Sequence, residues 1–97
     1  MEITFNDSYR TRTITINDYN SGIVQHYGSV EMFFQLYADD IGNMCSYFKD
    51  DDPRIALCLE KLDYWLLNED FTPNKSKLQK AIMNVVYHTN KELRQFC

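Results

Sequence analysis

The chain has 97 residues, of which 44% are apolar and 14% aromatic, and its formal net charge is −4. That is the length of one domain, 1–97, and the composition excludes a disordered chain. No apolar run approaches the roughly 18 residues of a membrane span, and the opening Met1-Glu2-Ile3-Thr4 lacks the basic start and apolar stretch of a signal peptide. A cytoplasmic location is expected, with no membrane partner.

Residues 1–27 read as strands. Glu2-Ile3-Thr4-Phe5 alternates, Asn6-Asp7-Ser8 supplies turn chemistry, and Arg12-Thr13-Ile14-Thr15-Ile16 alternates again with β-branched residues. A second turn at 17–22 leads to Ile23-Val24-Gln25-His26-Tyr27, read as a third strand. The pattern predicts an antiparallel sheet of two or three strands.

Residues 28–97 read as three helices. Val30, Phe33, Phe34, Tyr37, Ile41, Met44, Cys45 and Phe48 recur at three- and four-residue steps and predict one helix over 29–49. Gly42 interrupts that stripe at a cost of about 1 kcal/mol relative to alanine. Asp52-Pro53 is a cap followed by a proline at the first helical position, and it opens a helix over 53–68. Thr72-Pro73 opens a third by the same logic, over 73–96, with Leu78, Ile82, Val85, Val86, Leu93 and Phe96 on its stripe. The fold class is α+β, a small N-terminal antiparallel sheet packed on three helices. The expected core is Phe33, Phe34, Tyr37, Ile41, Leu59, Leu62, Trp65, Ile82 and Val86.

Catalytic and metal chemistry find no support in the residue pattern. The two histidines, His26 and His88, have no ligand spacing to a cysteine or to each other. Asp50-Asp51-Asp52 is followed at once by Pro53 and Arg54, without the glycine and distal glutamate of a calcium loop. Three glycines in the whole chain leave no phosphate-cradling loop. Cys45 and Cys58 fall on apolar helix faces, Cys97 is terminal, and three thiols cannot all pair within one chain. No catalytic residue, metal or cofactor is expected, and the chain is read as a non-enzyme.

Surface charge is more informative. Residues 1–70 hold a net −8 and residues 71–97 a net +4, while residues 31–70 alone hold −7. Asymmetry of this kind suggests a partner with a strong field of its own. Asp39 to Asp50 would span about 16 Å of one helix, and carboxylates along it, continued by Asp51 and Asp52, approximate a short row of phosphates. On the second helix Leu57, Glu60 and Tyr64 lie opposite the core, with Asp63 adding to the acidic count; tyrosine is a common interface anchor. The expected partner-binding residues are Asp39, Asp40, Asn43, Asp50, Asp51, Asp52, Leu57, Glu60, Asp63 and Tyr64. A direct nucleic-acid binder would use Lys77, Lys80 and Lys91, but a pI near 5 argues against that class.

From Met1-Glu2-Ile3-Thr4-Phe5 to Phe96-Cys97, with the acidic stretch from Asp39-Asp40 to Asp50-Asp51-Asp52, the chain resembles the small anti-CRISPR proteins encoded by phages and mobile elements. In particular it resembles a DNA-mimicking inhibitor of the type I-F (Csy) surveillance complex. The resemblance implies action in the host bacterial cytoplasm. It implies binding at the PAM-reading and target-DNA site near the large-subunit tail of that complex, so that target DNA is excluded. It implies no direct binding of nucleic acid. The basic C-terminal segment departs from the more acidic mimics. The alternative is an immunity protein or antitoxin that turns the same acidic surface on a nuclease or toxin.

Overall fold

The computed structural model describes residues 1–18, 20–49 and 52–94. Its elements, in chain order, are β1 (Glu2–Asn6), β2 (Thr11–Thr15), α1 (Ser21–Tyr27), α2 (Val30–Leu36), α3 (Ala38–Cys45), α4 (Pro53–Leu67) and α5 (Lys75–Arg94). The class is α+β, with a two-stranded sheet and five helices among the described residues.

β1 and β2 form an antiparallel hairpin with Ile3 opposite Ile14 and Phe5 opposite Arg12. Alternation does what the sequence predicts: Ile3, Phe5, Ile14 and Ile16 are buried, while the threonines face outward. Asp7 shapes the turn. Its Oδ1 accepts from the backbone N–H of Tyr9 (2.8 Å) and of Arg10 (2.7 Å), an aspartate turn. Its Oδ2 accepts from Arg12 Nε at 2.6 Å.

The third strand is not formed; residues 21–27 are helical instead. Ile23 and Tyr27 sit four apart, a spacing that serves a helix as well as their side chains serve a strand. A seven-residue helix is marginal by itself, and contacts with α4 supply the missing stability. Asp63 of α4 accepts from the Ile23 N–H at 2.8 Å, satisfying a first-turn donor from outside the segment. Gly22 makes the approach possible: a Cβ there would lie 2.6 Å from the backbone nitrogen of Leu67. His26 Nε2 donates to the Leu66 carbonyl at 2.7 Å, near the end of α4, so it is a link between helices and not a strand-edge residue.

The helix expected over 29–49 is two helices that meet at Tyr37, which has φ −124° and ψ 33° and ends one while starting the next. The Tyr37 ring packs against Phe33 (5.6 Å) and Tyr27 (5.5 Å), and the chain turns around this aromatic cluster. The turn puts Asp39 and Asp40 in the first turn of α3, where carboxylates are favoured by the helix dipole. α4 begins as expected: Asp52 accepts from the Arg54 N–H at 2.9 Å, with Pro53 next. α5 starts two residues later than Thr72-Pro73 predicts. Asn74 is the better cap and accepts from the Lys77 N–H at 2.8 Å, while the Thr72 hydroxyl lies 3.3 Å from His26 Nδ1. Phe96 and Cys97 lie outside the described residues.

One core runs under the sheet and between the helices. Of the residues expected there, Phe33, Phe34, Ile41, Leu59, Leu62, Ile82 and Val86 are buried. Tyr37 and Trp65 are corrections: both are half-buried and pack on its margin. Cys45 and Cys58 are buried, and burial pushes the Cys58 thiol above its usual range. No helix among the described residues is long and apolar enough to cross a membrane.

Candidate partner-binding surface

The ten residues expected at the interface do not form one surface. Asp50 and Asp51 lie outside the described residues. The row of carboxylates along a single helix is not formed either, because α3 ends at Cys45. What remains divides between two patches and the interior.

The first patch is Asp39, Asp40 and Asn43 on α3. Asp39 is exposed, yet its Oδ1 accepts from both the backbone N–H and the hydroxyl of Ser8, each at 2.7 Å. Asp40 accepts from Gln79 Nε2 of α5 at 2.8 Å. All these donors are neutral. The carboxylates are therefore held in place by groups that do not neutralise them, a pre-organised acidic pair, and Lys75 is the one basic side chain on the hollow they share. Beside them Asp7, Ser8, Tyr9, Arg12, Gly42, Asn43 and Ser46 line a hollow of about 360 Å3. Tyr9, at the tip of the hairpin, is 89% exposed.

The second patch is the outer face of α4. Leu57, Glu60, Lys61 and Tyr64, at helical spacing, line a shallow hollow of about 360 Å3. Leu57 is 40% and Tyr64 66% exposed, as the sequence predicts. Glu60 accepts from Asn17 Nδ2 at 2.9 Å, again a neutral donor. The two hollows have no lining residue in common.

Two expected contacts are corrected. Asp63 is fully buried, with Oδ1 on the Ile23 N–H and Oδ2 without a hydrogen-bond partner among the described residues. It faces α1, on the inner side of α4, and no partner can reach it in the folded state. Asp52 is half-buried and spent on Arg54, whose Nε and Nη2 lie 3.0 and 2.6 Å from Oδ2. Hydrogen bonding from Arg54 holds its carboxyl below the usual carboxylate range. Arg54 also stacks on Phe48, 4.7 Å from the ring centroid, so the pair closes the start of α4.

Sequence reasoning missed the hairpin turn as part of the acidic patch. Ser8 and Asp39 are 31 residues apart, and only the fold brings them together. It also missed why residue 42 is a glycine. A Cβ there would come within 2.9 Å of Asp7 Cβ, and the helix would lift the hairpin turn off its surface. Of the basic residues considered for nucleic acid, Lys77 pairs with Glu69 at 3.1 Å and lies over the Trp65 ring.

Among the described residues no group of three or more His, Cys, Asp or Glu side chains converges as a metal site. No family model matches the chain, and comparison with curated proteins and with solved structures finds no match.

Proposed function

We propose that this chain is a non-catalytic inhibitor that occupies a basic, nucleic-acid-binding surface on a larger protein or ribonucleoprotein partner. The supporting observation is the pair Asp39 and Asp40, fixed by Ser8 and Gln79 without loss of charge. A fixed charge costs little further ordering on binding, which is the advantage of a pre-organised contact. In this reading Asp39 and Asp40 meet lysines or arginines of the partner, and Tyr9 and Asn43 flank them. Following the resemblance, the proposed partner is the type I-F surveillance complex at its PAM-reading and target-DNA site. The acidic contact is then a compact patch at the start of α3 and not a long phosphate-like row.

A second reading, an immunity protein or antitoxin against a nuclease or toxin, draws support from the α4 face. Leu57 and Tyr64 there supply an apolar and aromatic anchor of the kind protein interfaces use, separate from the acidic patch.

The experiment is a binding assay of the purified chain on immobilised type I-F surveillance complex, with free duplex DNA as competitor. The inhibitor reading expects saturable binding that duplex DNA displaces and that weakens steeply with added salt. Absence of binding removes this partner. Binding that duplex DNA does not displace removes the shared site.

A further inference from the structure

The hairpin has an open edge with a groove beside it. Met1 and Ile16 exchange backbone hydrogen bonds in both directions (2.9 and 2.8 Å), and the Asp7 N–H donates to the Arg10 carbonyl at 3.0 Å. With Ile3 opposite Ile14 and Phe5 opposite Arg12 in between, the odd-numbered residues of β1 direct their backbone groups to β2. The N–H and C=O groups of Glu2, Thr4 and Asn6 therefore point away from the sheet. Among the described residues no hydrogen bond meets them. They form one wall of a groove of about 440 Å3, whose other side is Glu31, Phe34 and Gln35 of α2 and Ala38 of α3. Through Asn6, Gln35 and Ala38 the groove runs on into a hollow that reaches Asp39, Asp40 and Lys75.

We infer that this groove takes an extended, basic peptide segment of a partner protein, which adds to β1 as a third strand. Strand addition satisfies the outward backbone groups, and pockets beside the edge select alternate side chains. β1 carries no lysine, proline or bulge at Glu2, Thr4 or Asn6, and its one charged residue, Glu2, repels an acidic strand but not a basic one. Charge selects the occupant. Glu2 and Glu31 line the groove, no lysine or arginine does, and neither glutamate has an ion-pair partner among the described residues. A second copy of this chain, paired edge to edge, would bring its own Glu2 and Glu31 into the same seam. A strand with alternate lysines or arginines would compensate these carboxylates, while its intervening apolar side chains lie toward Ala38. This site does not depend on the inhibitor reading, which makes no use of β1, Glu2 or Glu31.

The test uses the isotope-labelled full chain and a capped peptide of alternating lysine and valine, followed by backbone amide resonances and hydrogen exchange. The peptide should shift and protect the amides of Thr4 and Asn6. Two changes should each weaken binding at least about tenfold: methylating the peptide nitrogens that face β1, and the double variant Glu2→Lys/Glu31→Lys. A capped peptide of alternating glutamate and valine should not bind. The methylated-peptide arm uses the unaltered chain, so it stands whether or not the double variant folds. The inference is overturned if Thr4 and Asn6 are unaffected, or if the methylated peptide binds as well as the parent. It is equally overturned if their amides are already protected without peptide in a concentration-dependent way, since a second copy would then hold the edge.

Discussion

The side chain of Asp7 occupies the space in which residue 42 would place a Cβ: the ideal position lies 2.9 Å from Asp7 Cβ, and the carboxylate is nearer still. Asp7 cannot easily move aside, because Arg12 and the backbone of Tyr9 and Arg10 hold it from the other side. A glycine inside α3 is thus the condition for seating the hairpin turn on the helix. Gly42→Ala gains helix propensity of up to about 1 kcal/mol. The expected outcome is nevertheless a net loss of about 1–3 kcal/mol, as for other overpacked sites. Urea denaturation of the variant beside the native chain checks this.

Asp7 also predicts a pH dependence. The Arg12 hydrogen bond, with those from the backbone of Arg10 and Tyr9, lowers its carboxyl from the ordinary 3.8 to about 2. A folded-state pKa below the unfolded one contributes stability that is present above about pH 4 and is lost as pH falls toward 2. Asp52, lowered by Arg54, acts in the same direction. Asp7→Asn should therefore melt below the native chain near neutral pH, and the gap should close as pH falls through this window. A gap that stays constant into acid would contradict the assignment.

Asp63 and Leu62 hold the inner side of α4, whereas Leu57 and Tyr64 lie on its exposed side. Asp63→Ala leaves the buried Ile23 N–H without an acceptor, and a loss of about 1–3 kcal/mol is expected. Leu62→Ala, one residue away and fully buried, should cost about 2–5 kcal/mol through its cavity. Leu57→Ala and Tyr64→Ala, on the exposed face of the same helix, should stay within about 0.5 kcal/mol of the native chain. Thermal melts of the four variants give the ordering directly.

Local rules read much of this fold from the residues. Alternation placed Ile3, Phe5, Ile14 and Ile16, and Asp52-Pro53 marked the start of α4. The failures occurred where distant contacts decide. Ile23 to Tyr27 has a strand composition, yet it is helical, and Asp63, forty residues on, accepts from its first turn. The stripe from Val30 to Phe48 is periodic throughout and carries no proline, so the break at Tyr37 was hidden; the pair Asp39-Asp40 was the available sign of a new helix start. For the binding surface, counting acids along the chain did not reveal that Asp52 is neutralised by Arg54, that Asp63 is interior, or that Asp39 belongs with Ser8. Charge at a position is legible in a sequence, whereas its accessibility depends on the fold.

The central claim is that the charge of Asp39 and Asp40, held in place by Ser8 and Gln79, drives inhibition. The most direct measurement is target-DNA binding by the type I-F surveillance complex in the presence of Asp39→Asn/Asp40→Asn. Asparagine oxygens can still accept from Ser8 and Gln79, so the variant removes charge while keeping the hydrogen bonds, and a melting curve checks the fold. The account predicts that the native chain blocks DNA binding and that the folded double variant needs at least about tenfold more protein to do so. Equal inhibition by the two proteins would contradict it.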